Sequence, residues 1–171
     1  MDRKLVQHAD DRRPGGDERL GTQLAGLAGL ADLLNARRLT GADTAVALAR
    51  YRRLDLRITC QAKPGYRPTE VETAVLARLD PRPGADGRTG FFGRDRWTFG
   101  QPLEASALIA AIQSCPGVAG VSRIEYRGTR AAAWRPLRAF AGVPAGEILR
   151  IGNDRDRPED GLLFVTAEVA R

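Results

Sequence analysis

The stretch Trp97-Thr98-Phe99-Gly100-Gln101-Pro102-Leu103-Glu104-Ala105-Ser106, with the residues that follow it to Arg127, decides the reading of this chain. Ala105, Leu108, Ile109 and Ile112 recur at i, i+3, i+4 and i+7, the spacing of one helical face, and Pro102 sits near the expected first turn. Cys115-Pro116-Gly117 stops that helix, with Gly117 placed to take a left-handed backbone. Beyond it Ser122, Ile124 and Tyr126 alternate with Arg123, Glu125 and Arg127, the pattern of a strand with one wet face.

The preceding segments carry the same two periods. Leu54, Leu56, Ile58, Cys60 and Ala62 alternate with Asp55, Arg57, Thr59, Gln61 and Lys63, a second half-wet strand ended by Pro64-Gly65. Val71, Val75 and Leu79 then share a helical face, and Thr69 with Glu72 has the spacing of a capping box. Two strands separated by two helices should run antiparallel if they pair, with both helices on one face of the sheet. Ile148 to Ile151 and Leu162 to Val169, on either side of the polar run Asn153 to Asp160, read as a C-terminal β-hairpin. The predicted fold is therefore α+β: two helices packed on an antiparallel sheet, a β-α-α-β core with a C-terminal hairpin, preceded by an N-terminal helix.

That first helix is predicted from Leu20, Leu24, Leu27, Ala31 and Leu34, spaced by four, three, four and three residues, with Gly26 and Gly29 weakening it by about 1 kcal/mol each relative to alanine. It reads either as a helix lying on its own domain or, through Leu24 and Leu27, as a surface for a partner helix. Residues 1–19 read as a flexible tail, 20–50 as this helix with a connector, and 51–171 as the α+β domain.

Composition narrows the functional classes. With 171 residues, 43% of them hydrophobic and 28% charged, the chain can bury a core without metal or disulfide staples. The net charge is +6 and the positive charge is almost all arginine, Lys4 and Lys63 being the only lysines, and the arginines are scattered rather than clustered, which points away from nucleic acid. Cys60 and Cys115 lack CxxC spacing and the one histidine, His8, stands in a polar segment, so no metal site is expected; whether the two cysteines pair is open. No calcium loop is expected in Asn153 to Asp160, which lacks the glycine and final glutamate of an EF-hand. No cofactor is expected, and nothing pairs a nucleophile with a base. The opening Met1-Asp2-Arg3-Lys4 is not a secretory signal and no run reaches the about 20 apolar residues of a membrane span, so a chain made in the cytoplasm and free of membrane is expected.

The candidate working parts are surfaces. Residues 80–96 hold Phe91-Phe92 among turn formers, either a contact surface or a flap that buries one of the rings. Alternation sends Trp97 and Phe99 to one face of an extended segment, in the core or in an interface.

Taken in order, the tyrosine-led strand at Tyr51, the helix at Thr69, Trp97-Thr98-Phe99-Gly100, Leu103-Glu104-Ala105-Ser106 and Gly117-Val118-Ala119-Gly120-Val121 resemble the C-terminal part of baseplate J-like proteins, wedge components of contractile phage tails and injection systems. Leu33 to Gly41 is similar to the segment before the first strand in the putative baseplate assembly branch. The resemblance covers roughly residues 30 to 151; the family's proteins are usually longer, with further domains upstream. It implies a non-enzymatic assembly subunit, built into a baseplate, that binds other wedge subunits and can self-associate there. Gly100, Ser106, Gly117, Val118 and Val121 are the structural motif; Phe91, Phe92, Trp97, Phe99, Leu24 and Leu27 are the candidate interface. The alternative is a small arginine-rich α+β nucleic-acid-binding module, which would need exposed aromatics flanked by arginines on its sheet face.

Overall fold

The computed structural model describes residues 16–37, 46, 48–84 and 87–170, with side chains of the first helix described from Gly26 onward. It divides into two units, Met1–Leu48 and Ala49–Arg171. In the first unit, α1 spans Gly16–Ala36, four residues earlier than the leucine spacing predicts, so residues 16–19 are helical rather than tail. Residues 1–15 lie outside the described set.

The second unit is a two-layer α+β sandwich. Its elements are β1 (Arg50–Arg53), β2 (Asp55–Ala62), α2 (Pro68–Leu79), β3 (Leu103–Glu104), α3 (Ala105–Gln113), β4 (Val118–Arg127), β5 (Arg135–Pro136), β6 (Phe140–Ala141), β7 (Glu147–Arg150) and β8 (Leu163–Val169). The main sheet has the order β5-β4-β2-β8. Leu56, Ile58, Cys60 and Ala62 of the central strand are fully buried beneath α2 and α3, and the alternating residues Arg57, Thr59 and Gln61 face out. Each large apolar side chain so buried contributes about 1.5–3 kcal/mol.

β2 and β4 pair antiparallel, as the two intervening helices require, with two bulges that the simple alternation does not anticipate. Thr59 opposes Arg123 but Cys60 opposes Val121, so Ser122 bulges out and is exposed, and Val121 takes the inward place. A second bulge at Ala119 brings Val118 opposite Ala62, where it is buried.

The C-terminal strands correct the predicted hairpin. The neck of the polar turn does close, through Gly152 N–H to Asp160 O (2.7 Å) and Asn153 N–H to Gly161 O (2.9 Å). The flanking strands then diverge: β7 pairs parallel with β1, and β8 pairs parallel with β2. Residues 50–62 form one nearly continuous extended run, so two strands both parallel to it have the same direction and cannot make a hairpin with each other. The main sheet is consequently mixed, not antiparallel throughout.

Glu72 also departs from its predicted role. α2 begins with Pro68 at its first turn and Arg67 as N-cap without a side-chain cap, so Thr69 lies inside the helix and no capping box forms. Thr73 Oγ1 donates to Thr69 O (2.8 Å), and Glu72 Oε1 instead accepts from Ala167 N–H at 2.9 Å, on the outer edge of β8. Likewise Pro102 lies upstream of α3, in extended chain leading to β3, which pairs with β6.

Cys60 and Cys115 are both buried free thiols. Burial pushes both above the usual thiol range; Glu72 and Cys115 push Cys60 further, while Arg78 partly offsets the effect at Cys115. Since the thiolate is the nucleophile, both should react with a maleimide in the native state at least about 100-fold more slowly than in urea, opening only with the core. Fast labelling of either under native conditions would mean that the sandwich breathes locally.

Candidate protein interface

The aromatic loop before α3 folds onto the end of α2. Phe91 N–H donates to Arg78 O (2.9 Å) and Phe92 N–H to Leu79 O (3.3 Å), and Gly90 lets the chains meet, since a Cβ there would fall 2.2 Å from Asp80 O. Phe92 is 3% exposed and stacks on Trp97 with centroids 5.8 Å apart and 13° between planes. Phe91 meets both rings edge-on, at 5.0 Å and 5.8 Å, and its carbonyl accepts the Trp97 indole N–H at 3.3 Å. Phe92 is thus a core residue rather than a contact residue. Phe91 and Trp97 are half-buried and line a cleft of about 270 Å³ with Arg96, Gln101, Pro102 and Glu104.

Phe99 does not follow Trp97 inward. Gln101 N–H donates to Thr98 O (3.3 Å), Gln101 Oε1 accepts Thr98 N–H (3.1 Å), and Gly100 has φ +69, the third position of a type II turn. The turn breaks the period-2 alternation and leaves Phe99 56% exposed. Gly100 N–H then donates to Glu147 O (2.9 Å), so Phe99 bridges Ile148, which itself pairs with Tyr51. Cross-strand partners share a face, so Phe99, bridged to β7, forms one apolar row with Ile148 of β7 and Tyr51 of β1. Tyr51 is 46% exposed and carries the Arg150 guanidinium 5.0 Å over its ring. The row was not legible as such from the sequence, because it depends on the parallel β1–β7 pairing.

The remaining motif residues are structural or solvated. Gly117 is buried with φ +79, its carbonyl accepting Lys63 N–H (2.8 Å), and Ser106 is exposed on α3. On α1, Leu27 is half-buried and Leu30, Leu33 and Leu34 are exposed; the Leu24 side chain lies outside the described residues.

Tyr51 and Ile148 of the row also line a cleft of about 490 Å³, with Arg82, Arg94, Arg150, Arg157, Asp95, Asp154 and Asp160. Asp80 holds Arg82 of that lining in place, accepting from Arg82 N–H (2.8 Å), Arg82 Nε (2.9 Å) and Nη2 (2.8 Å), and also accepts from Asn153 Nδ2 (3.3 Å). Partial burial raises the pKa of the carboxyl, but the Arg82 and Asn153 contacts outweigh it and hold the group below its ordinary value. A carboxyl depressed in the folded state stabilises fully above its unfolded value near 4 and stops doing so as pH falls through the folded value. Asp80→Asn should therefore cost about 0.5–1 kcal/mol at pH 7, since Arg82 is largely exposed, and the deficit should shrink as pH drops below about 4. Urea unfolding at several pH values checks this; a deficit constant with pH would contradict it.

The opposite, helix-free face of the main sheet holds Trp134 with the Arg57 and Arg127 guanidiniums 4.3 and 4.5 Å from its ring centre and Phe164 edge-on at 6.1 Å. Arg57 is paired with Glu125 at 3.6 Å and Arg127 with Asp55 at 2.8 Å. The alternation of residues 162–169 could have placed Phe164 here, on the wet face with Thr166 and Glu168. Among the described residues no group of three or more His, Cys, Asp or Glu side chains is placed to hold a metal ion, and no helix is long and apolar enough to cross a membrane. No family model matches the sequence, and no curated protein matches it either.

Proposed function

We propose that this chain is a structural assembly subunit that works through protein–protein contacts, in the manner of the C-terminal region of a baseplate J-like wedge protein in a contractile tail or injection system. The observation that carries the reading is the Phe99–Ile148–Tyr51 row: large apolar side chains held outward by a turn and a strand pairing fixed on a packed frame. Rigid aromatic anchors of this kind dominate interface energies. The order of motifs from Tyr51 to Val121 supplies the baseplate assignment. Co-expression with the sheath, tube and baseplate subunits of a contractile tail tests the reading. A stable complex is expected, weakened at least about tenfold by Phe99→Ser without a change in unfolding midpoint.

A second reading rests on Trp134, Phe164, Arg57 and Arg127, aromatics flanked by arginines on an open sheet face, as in single-stranded RNA binders. The pairing of both arginines with carboxylates favours the protein reading. Salt-sensitive nucleic-acid binding in a gel-shift assay, with no baseplate partner captured, would reverse that preference.

A further inference from the structure

Two strand edges of the second unit, those of β8 and β1, are treated in opposite ways. Ala170 N–H donates to Ala62 O (3.2 Å), so in this parallel pair the even-numbered residues of β8 turn their peptide groups to β2 and the odd-numbered ones turn outward. That outer edge is blunted: Asn153 Oδ1 accepts Leu163 N–H at 3.2 Å and Glu72 Oε1 accepts Ala167 N–H at 2.9 Å. Side chains from two other elements occupy donors that a further strand would need.

Among the described residues β1 has no such cover. It pairs with β7 on one side, and among the described residues no strand lies on the other. Glu147 O points to Gly100 N–H, so the peptide groups of Ile148 turn to β1, and by the same alternation those of Tyr51 and Arg53 face the free edge. All four β1 residues are exposed. A groove of about 610 Å³ runs against the strand, with Arg52, Arg53, Gly128, Arg130 and Glu159 in its walls. Three of the four β1 residues are arginines; Arg53 pairs with Asp160 at 3.5 Å, whereas Arg50, Arg52 and Arg130 make no ion pair among the described residues.

We propose that β1 is a docking edge for an extended acidic segment of a partner protein, which adds beside it as a further strand. Backbone hydrogen bonds to Tyr51 and Arg53 supply the attachment, and the free arginines select the charge. The same arginines argue against a second copy of this chain, because two β1 strands side by side would set arginine against arginine. The inference stands whether or not the partner belongs to a contractile tail.

The probes are two fluorescein-labelled eight-residue peptides of alternating threonine and glutamate or threonine and lysine, with octathymidylate as a third polyanion, added to the full chain. The glutamate peptide should bind at least about tenfold tighter than the lysine peptide at low salt, the margin narrowing as salt rises. Arg52→Glu with Arg130→Glu should weaken it at least about fivefold at an unchanged urea midpoint. In the parent chain, saturation should slow hydrogen exchange at the Tyr51 and Arg53 amides at least about tenfold. Glutamate-peptide binding without that protection, equal binding of both peptides, comparable binding of octathymidylate, or concentration-dependent self-association that protects the same amides without peptide would each overturn the proposal.

Discussion

Asp55→Ala is expected to destabilise the sandwich by about 3 kcal/mol, the low end of the cost of removing one partner from a buried ion pair. Asp55 is 5% exposed and, among the described residues, is the one buried charged residue. Its Oδ2 accepts Arg127 Nε at 2.8 Å and its Oδ1 accepts Leu162 N–H at 3.0 Å. One carboxylate thus ties the start of β2 to the end of β4 and to the residue that leads into β8. Alanine leaves both donors without their acceptor. Arg127 retains Arg130 O at 3.1 Å and the Trp134 ring, and its side chain is 19% exposed, which is why the low end of the range applies. Asp55→Asn keeps an acceptor for Leu162 N–H and should cost about half as much. Urea unfolding at constant m-value measures both, and a double-mutant cycle with Arg127→Met isolates the pair. A loss under about 1 kcal/mol for the alanine variant would show that water screens the pair and that the strand ladder alone holds this corner.

The sequence made Asp55 look like one more wet-face residue, and the reason shows where periodicity stops being informative. Alternation identified β2, α2, α3 and β4 because each has one buried face, a local property that period 2 or 3.6 records directly. It could not record partners distant in the chain. Asp55 is buried by β4, β8 and their connections; Glu72 left its expected cap for a β8 amide 95 residues away; Val121 displaced Ser122 through a bulge. The C-terminal strands failed as a hairpin for the same reason, since each had a parallel partner in residues 50–62. For the candidate interface, Trp97 and Phe99 were legible as large apolar residues of an extended segment, but the row that Phe99 joins depends on the parallel pairing of β1 with β7. Phe164 was recoverable from alternation alone; Trp134 and the Arg57 and Arg127 guanidiniums beside it required the sheet order.

Gly161→Ala should be at least as damaging as Asp55→Ala, costing about 3–4 kcal/mol, because two independent penalties coincide there. The first is conformational: Gly161 has φ +87 and ψ 141, close to a region that residues with a Cβ scarcely occupy. The second is steric, since a Cβ would fall 2.3 Å from Leu54 O and 3.2 Å from Leu54 C. These are backbone atoms at the junction of β1 and β2, so no side-chain rotation relieves the clash. Relief requires moving residue 161 away from residue 54. That movement strains the adjoining bonds, Leu162 N–H to Asp55 and Leu56 N–H to Leu162 O (2.9 Å), and with them the register of β8 on β2. Gly142→Ala is the matched control: no heavy atom lies within 4 Å of its Cβ and its φ is not positive, so it should change stability by no more than about 0.5 kcal/mol. Near-equal urea midpoints for the two variants would mean that β8 can shift without loss, and that its seat on β2 is set by side-chain packing rather than by the approach of Gly161 to Leu54.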